Sequence, residues 1–169
     1  MSISYTYMQA IGIGFPGVWC HSPDSGNIYE SIIAEPGITL PTKDVLDTWI
    51  VNQIKTDVWE LIKAERDRRK NEGGYKVGTD WYHSDASSRI QQLGLVMMGA
   101  SLPASLYWKT MSNTFVLMTP TLAGQIFQAA ATSDMTIFTI AEQKKAAMLV
   151  SATPATYDYL SGWPATYGE

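Results

Sequence analysis

The chain has 169 residues and 46% of them are hydrophobic, so it can bury the core of one ordinary domain or of a small domain with an appended arm. Its formal net charge of −4 argues against broad binding to a phosphate backbone, and nucleic acid is not an expected partner. No apolar run reaches the ~20 residues that span a bilayer, and the first residues lack the basic and apolar sections of a secretion signal. We therefore expect a protein that is made in the cytoplasm and does not insert into a membrane.

The cysteine and histidine content restricts the chemistry. Cys20 is the single cysteine, which excludes an internal disulfide bond, and His21 and His83 are too few histidines for a familiar zinc site. A metal held by oxygen ligands alone stays open on composition, but no metal-ligand spacing is visible, so we predict no metal and no cofactor. Tryptophan and tyrosine are abundant, and these residues suit both core packing and partner interfaces. Both interpretations stay open at this point.

The first 40 residues have the pattern of a small β arm. Odd positions from Ile3 to Phe15 are mostly apolar and even positions mostly small or polar, which predicts a strand. Further strands are expected over Val18–His21 and Ile28–Ala34. Because two or three strands are only marginally stable alone, this meander, residues 1–40, should dock on its own chain or on another. The candidate contact residues are Tyr5, Tyr7, Phe15 and Trp19.

A long helix is the strongest signal in the chain. Thr42 is an N-cap residue, acidic side chains follow it, basic side chains crowd the far end, and Gly73 and Gly74 end the pattern. The sequence predicts one helix over Lys43–Lys70, about 42 Å long at 1.5 Å per residue, within a connector of residues 41–73.

The two halves of this helix differ. The first half has an apolar stripe, with Trp49 and Trp59 on its flanks as further candidate interface residues. Past Ala64 the helix is charged all round, so we expect its second half to be a solvated connector or a charged docking surface.

Residues 74–169 are predicted to form a compact domain of two hairpins and three helices. The first hairpin pairs Tyr75–Val77 with Trp81–His83. A helix follows whose body, Ile90–Met98, is apolar on most faces and is expected at the centre of the core. A second hairpin turns at the pair Ser112 and Asn113, which would place Trp108 opposite Leu117. Two helices should then begin near Pro120 and Ser133. The predicted fold class is therefore α+β.

His83, Ser84 and Asp85 are three residue types of a hydrolase triad, but neighbours at a strand-to-helix junction rarely converge. We interpret Ser84 and Asp85 as a helix cap and Arg89 as an ion-pair partner. Cys20 and His21 point to opposite faces if they lie in a strand, so no catalytic residue is predicted.

Several segments together resemble a known family. They are Trp81–Asp85, Ser88–Gln91, Leu95–Gly99, Trp108–Met111, Met118–Pro120, Tyr157–Tyr159 and Gly162–Pro164. In this order they are similar to the uncharacterised C-terminal domain of tail-fibre and tail-fibre-assembly proteins of tailed bacteriophages. The resemblance covers roughly residues 64–164, and that family contributes no catalytic residues to carry over.

The resemblance implies a non-enzymatic structural component of a bacteriophage tail, at the tail fibre or baseplate, located in the virion after synthesis in the host cytoplasm. Its implied partners are other phage tail or fibre proteins and further copies of the chain in a homo-oligomer. The alternative is an assembly chaperone that binds the fibre tip during folding. A minor alternative is a small hydrolase that uses Cys20 or His83.

Overall fold

The computed structural model describes residues 2–169, and in this part of the chain it has four α-helices and three two-stranded antiparallel sheets. The helices are α1 (Tyr7–Gly14), α2 (Lys43–Glu72), α3 (Ala86–Met98) and α4 (Pro120–Leu149). The strands are β1 (Cys20–His21), β2 (Ile33–Ala34), β3 (Tyr75–Val77), β4 (Asp80–Tyr82), β5 (Tyr107–Lys109) and β6 (Phe115–Leu117). The predicted α+β class is confirmed. Among these helices, none is both long enough and apolar enough to cross a membrane.

The chain packs into two compact units. The first contains the residues up to Leu61 together with Lys145–Tyr159, and the second contains Ile62–Lys144 and Leu160–Glu169. Helices α2 and α4 each contribute residues to both units. The predicted division into residues 1–40, 41–73 and 74–169 stays a prediction.

The strand predicted over Ile3–Phe15 is wrong, because helix α1 lies there. A capping box starts this helix: the Thr6 hydroxyl accepts from the Gln9 N–H at 3.2 Å, and the Gln9 side chain accepts from the Thr6 N–H at 2.8 Å. Ala10 and Ile11 are buried in the core of the first unit with Leu46 of α2. The capping box and this contact select the helix over the strand.

The rest of the predicted meander is reduced to one short pair of strands. Cys20 lies opposite Ala34 and His21 opposite Ile33. The loop between them is organised by Asp24, whose carboxylate accepts from the backbone N–H groups of Gly26 and Ile28, each at 3.0 Å. Hydrogen bonds from the hydroxyls of Ser22 and Ser31 are the main reason that the pKa of Asp24 is lowered to about 2.

The predicted long helix is confirmed as α2, but of the two expectations for its second half, the solvated connector is wrong. Glu65 and Arg69 are buried in the second unit. The Arg69 guanidinium donates to Glu65 Oε1 at 2.6 Å, to the Pro164 carbonyl at 2.7 Å and to the Glu169 carboxylate at 3.1 Å. This end of α2 is therefore fixed to the C-terminal segment by charge-assisted hydrogen bonds.

The core of the second unit lies under its two hairpins. The β3–β4 hairpin is confirmed, but its second strand is Asp80–Tyr82 and not Trp81–His83. Tyr75 and Tyr82 are cross-strand partners in it. Both rings are buried with Met118 and with Ala123 and Ile126 of α4. The β5–β6 hairpin and α3 pack on the same cluster.

The β5–β6 hairpin is confirmed, but its predicted register is wrong by one residue. Trp108 lies opposite Val116, not Leu117. The loop has three residues, because the Thr110 N–H donates to the Thr114 carbonyl at 2.8 Å, and Asn113 takes a left-handed conformation with φ of 64°. This is the known three-residue solution for a hairpin, with a left-handed residue at its end.

The helix start predicted near Ser133 is also wrong, because α4 runs without a break from Pro120 to Leu149, so the C-terminal region has two helices and not three. The Thr136 hydroxyl bonds to the Thr132 carbonyl at 2.9 Å inside the helix. Asp134, which resembles a cap residue in the sequence, pairs instead with Arg89. The polar residues around Ser133 therefore lie inside α4 and do not start a helix.

Candidate functional site

A charge-poor stretch forms much of the second unit. Residues 90–141 contain two charged side chains, Lys109 and Asp134, although 17% of the whole chain is charged. The second of these is already paired with Arg89. Exposed surface from this stretch is therefore nearly free of the charges that usually keep a surface solvated.

The outer side of α3 exposes large apolar side chains. Ile90 is 72% and Met97 80% exposed, and Leu93 and Met98 are also exposed. Ile90, Leu93 and Met97 are spaced three and four residues apart and so share one side of the helix. The expectation that α3 lies at the centre of the core is therefore wrong for this side, whereas Leu95 and Val96 do pack on the core.

Helix α4 continues the apolar surface. Phe127 and Met135 are both exposed, and their spacing of eight residues keeps them on one side of the helix. A cavity of about 220 Å³ lies between α3 and α4, with Arg89 and Gln92 on one side and Phe127 on the other. The α3–α4 surface consists of Ile90, Leu93, Met97, Phe127 and Met135.

One side of the β5–β6 hairpin is apolar as well. Tyr107, Phe115 and Leu117 are exposed, and the register places Tyr107 directly opposite Leu117. Trp108 and Val116, which point to the other side, pack on the core. The exposed side of this hairpin therefore has the burial pattern of a strand pair with one uncovered apolar face.

Arg89 fixes the position of α3. Its guanidinium donates to Asp134 Oδ2 at 2.6 Å and to Asp134 Oδ1 at 2.9 Å, which is a two-point pairing with α4. It also donates to the backbone carbonyls of Ser84 at 2.6 Å and Lys70 at 2.8 Å. One side chain therefore ties α3 to α4, to the end of α2 and to the loop before α3.

Asp85 and Ser84 have separate structural roles at the start of α3. Asp85 is the N-cap, and its Oδ1 accepts from the Ser88 N–H at 3.0 Å. Hydrogen bonds from the hydroxyls of Ser87 and Ser88 are the largest causes that lower the pKa of Asp85. Ser84 is buried, and its hydroxyl accepts from the Gly74 N–H at 2.9 Å.

The interface residues predicted at the N-terminus have contacts inside the first unit. The Tyr5 hydroxyl donates to Asp57, and the Tyr7 hydroxyl donates to Asp47 at 2.8 Å. Phe15 packs on the core of this unit, whereas Trp19 is 70% exposed. The role of these residues as partner contacts stays a prediction. Trp19 is the one of the four whose side chain is mostly open to solvent.

The two predicted helix tryptophans also have contacts inside the first unit. The ring of Trp49 packs edge-on against that of Tyr5, with 5.9 Å between the centroids. The Lys145 ammonium lies 4.6 Å from the ring centroid of Trp59. Neither ring is fully exposed, and their role in a partner interface stays a prediction.

The candidate hydrolase residues are not brought together. Cys20 belongs to the first unit and His83 to the second. The Cys20 Sγ lies 3.6 Å from the Met8 sulfur, and burial, followed by the Glu35 charge, raises the pKa of its thiol. A raised pKa disfavours the thiolate that acts as a nucleophile. Among residues 2–169, no three His, Cys, Asp or Glu side chains form a group that could hold a metal ion.

The comparison with known families identifies the larger part of the chain. A domain of unknown function (DUF4376) matches residues 53–161, which is more than half of the chain. The chain belongs to this family. The matched DUF4376 region begins within α2 and includes α3, α4 and both of their neighbouring hairpins. No curated protein and no solved structure matches the chain.

The α3–α4 surface is not visible in the sequence. Helical spacing identifies an apolar stripe but does not say whether another part of the chain covers it. The available signal was the scarcity of charge over residues 90–141, since a stretch of that length normally carries charges on its solvent side.

Proposed function

We propose that this protein is a non-enzymatic structural component of a bacteriophage tail that links or supports fibre subunits, and that it docks on them through the α3–α4 surface. The phage context rests on the resemblance of Trp81–Asp85 and the segments that follow it. The observation that supports docking is the exposed, charge-poor apolar surface of α3 and α4.

The chemistry of this surface suits a lasting protein contact. Burying apolar area is favourable by about 25 cal/mol per Å², and interface centres are depleted of charge. Arg89 holds α3 against α4 before any partner binds, so little conformational freedom is lost on docking. The exposed Trp19 is a second contact of the same kind, on the other unit.

The direct test is the composition of purified particles of the phage that encodes the chain. Mass spectrometry should find the wild-type protein at a fixed copy number. The double variant Ile90→Glu, Met97→Glu should fold but be lost from particles, because it places two charges in the docking surface. The control Thr79→Glu, Thr121→Glu adds the same charge at exposed positions outside the surface and should be retained. Absence of the wild-type chain from particles would contradict the proposal.

An assembly chaperone is the second candidate, and the exposed methionines favour it. Met97 is 80% and Met135 70% exposed, and unbranched thioether side chains adapt to partners of different shape. In this case co-expressed fibre protein would be soluble with the chain and insoluble without it, and finished particles would contain little of it. Equal solubility of the fibre with and without the chain would exclude the chaperone role.

A further inference from the structure

The second unit contains an open cleft of about 520 Å³ that is separate from the α3–α4 surface. It lies between the β3–β4 hairpin, α4 and the segment Pro164–Ala165. This volume is within the range of small-molecule sites, about 300–1,000 Å³.

The α4 side of the cleft is built from uncharged polar side chains. Gln125, Gln128, Thr132 and Thr136 line it at intervals of three and four residues, so they share one side of the helix. Gln125 and Gln128 are exposed, and within residues 2–169 neither amide has a hydrogen-bond partner. Amides and hydroxyls can each donate and accept, so this side suits a ligand whose groups do both.

The opposite side of the cleft presents an aromatic ring. Trp81 lines the cleft and is partly exposed. Its ring packs edge-on against Tyr167, with 6.3 Å between the centroids and 63° between the planes, and its backbone carbonyl accepts from the Met111 N–H at 2.9 Å. The indole is therefore held in place and can offer an apolar surface to a ligand. Lys76 is the only charged residue in the lining.

We propose that this cleft binds one or two sugar rings of a neutral carbohydrate chain. A sugar ring has an apolar C–H side that packs on an indole, and a hydroxyl edge that both donates and accepts hydrogen bonds. The cleft offers the matching pair: Trp81 on one side, and Gln125 and Gln128 on the other. The lack of acidic residues in the lining disfavours cationic ligands, and Lys76 without an arginine gives only a point charge for a strongly anionic one. This inference goes beyond the docking function and does not depend on it.

The test uses the full chain and a fixed panel of oligosaccharides: maltotriose, cellotriose, triacetylchitotriose and galactotriose, with trigalacturonate as the charged comparator. Isothermal titration should give a Kd of about 1 mM or tighter for at least one neutral member, the level reached by a few hydrogen bonds and one stacked ring. The variant Gln125→Ala, Gln128→Ala should weaken that binding by about tenfold, because it removes two polar contacts.

The control variant is Gln91→Ala, Gln143→Ala, which makes the same change at exposed positions outside the cleft and should leave the Kd unchanged. Trp81→Ala should abolish binding, and Trp81→Phe should restore part of it because a ring is present again. Circular dichroism identifies any variant that is unfolded. The proposal is overturned if no neutral sugar binds, if trigalacturonate binds most tightly, or if the cleft variant binds as the wild type does.

Discussion

Arg89 connects several parts of the second unit through one side chain. It makes four hydrogen bonds, two to the Asp134 carboxylate and two to backbone carbonyls. Removing it would leave three acceptor groups without their donor in a partly buried place. The penalty for unsatisfied groups of this kind exceeds the value of an exposed ion pair.

We expect Arg89→Ala to lower the free energy of unfolding by about 2–4 kcal/mol. Arg89→Lys should recover only part of this loss, because a lysine keeps the charge but cannot form the two-point pairing with Asp134. Urea denaturation followed by circular dichroism gives both values. Lys109→Ala, at an exposed site, is the control and should change stability by less than about 0.5 kcal/mol. A lysine variant as stable as the wild type would show that the planar guanidinium is not required.

At the scale of single elements, the N-cap of α3 offers a clean test. Asp85→Ala removes the side-chain acceptor of the Ser88 N–H and should cost about 1 kcal/mol. Asp85→Asn keeps an oxygen at the same place, and we expect it to retain most of the stability. The comparison is made by thermal unfolding at neutral pH. If the two variants lost the same stability, the cap would not be the reason for the loss.

The β5–β6 turn is tested at Asn113, which has a φ of 64°. Asn113→Gly should be neutral or slightly stabilising, because glycine takes this conformation without strain. Asn113→Val should cost about 1–2 kcal/mol, because a β-branched residue is strained there. Chemical denaturation of the three proteins ranks them. Equal stability of the glycine and valine variants would mean that the loop has another conformation in solution.

The elements that sequence reasoning predicted are those with strong local signals. Helix α2 has a cap at one end and two glycines at the other, and both C-terminal hairpins have turn residues between short apolar runs. Helix α1 was missed because its alternating pattern fits a strand equally well until the capping box of Thr6 and Gln9 is recognised. The hairpin register was missed because it depends on a left-handed Asn113.

The candidate site was predicted in part. The cap at Asp85 is visible in the sequence because Ser and Asp strongly prefer the N-cap position. The role of Ser84, which accepts from the Gly74 N–H instead of capping α3, is not visible there. The partner of Arg89 is not visible in the sequence, since Asp134 lies 45 residues away in a segment that resembles the start of a helix. The exposure of Ile90 and Met97 depends on which parts of the chain cover α3. Long-range contacts decide this, and periodicity does not report them.

At the scale of the whole molecule, paired carboxylates make stability dependent on pH. Hydrogen bonds from Arg68 are the main cause that lowers the pKa of Glu65, and those from Arg69 do the same for Glu169. The pKa of Asp85 is also lowered. Each group binds its proton more weakly in the folded chain than in the unfolded chain. Their contribution to stability is therefore present above the unfolded pKa values, about 4, and is lost as the pH falls through the lower folded values.

We accordingly expect the melting temperature to be constant from about pH 7 to 5 and to fall progressively below about pH 4. Glu65→Gln should be less stable at pH 7 and should show a smaller fall in acid, because it removes one of the responsible groups. Differential scanning calorimetry across this range measures both effects. A wild-type melting temperature that stayed constant down to pH 3 would contradict this explanation.

The exposed methionines make the protein sensitive to oxidation. Peroxide transfers one oxygen atom to a thioether sulfur and gives a polar sulfoxide and water, and accessible sulfurs react first. Met97 and Met135 should therefore oxidise while the buried Met118 and Met148 stay reduced, which peptide mass spectrometry can follow. The oxidised chain would keep its fold but lose the proposed binding through the α3–α4 surface, and methionine sulfoxide reductase would restore it. A binding experiment would then succeed with reduced protein and fail with protein that peroxide has oxidised.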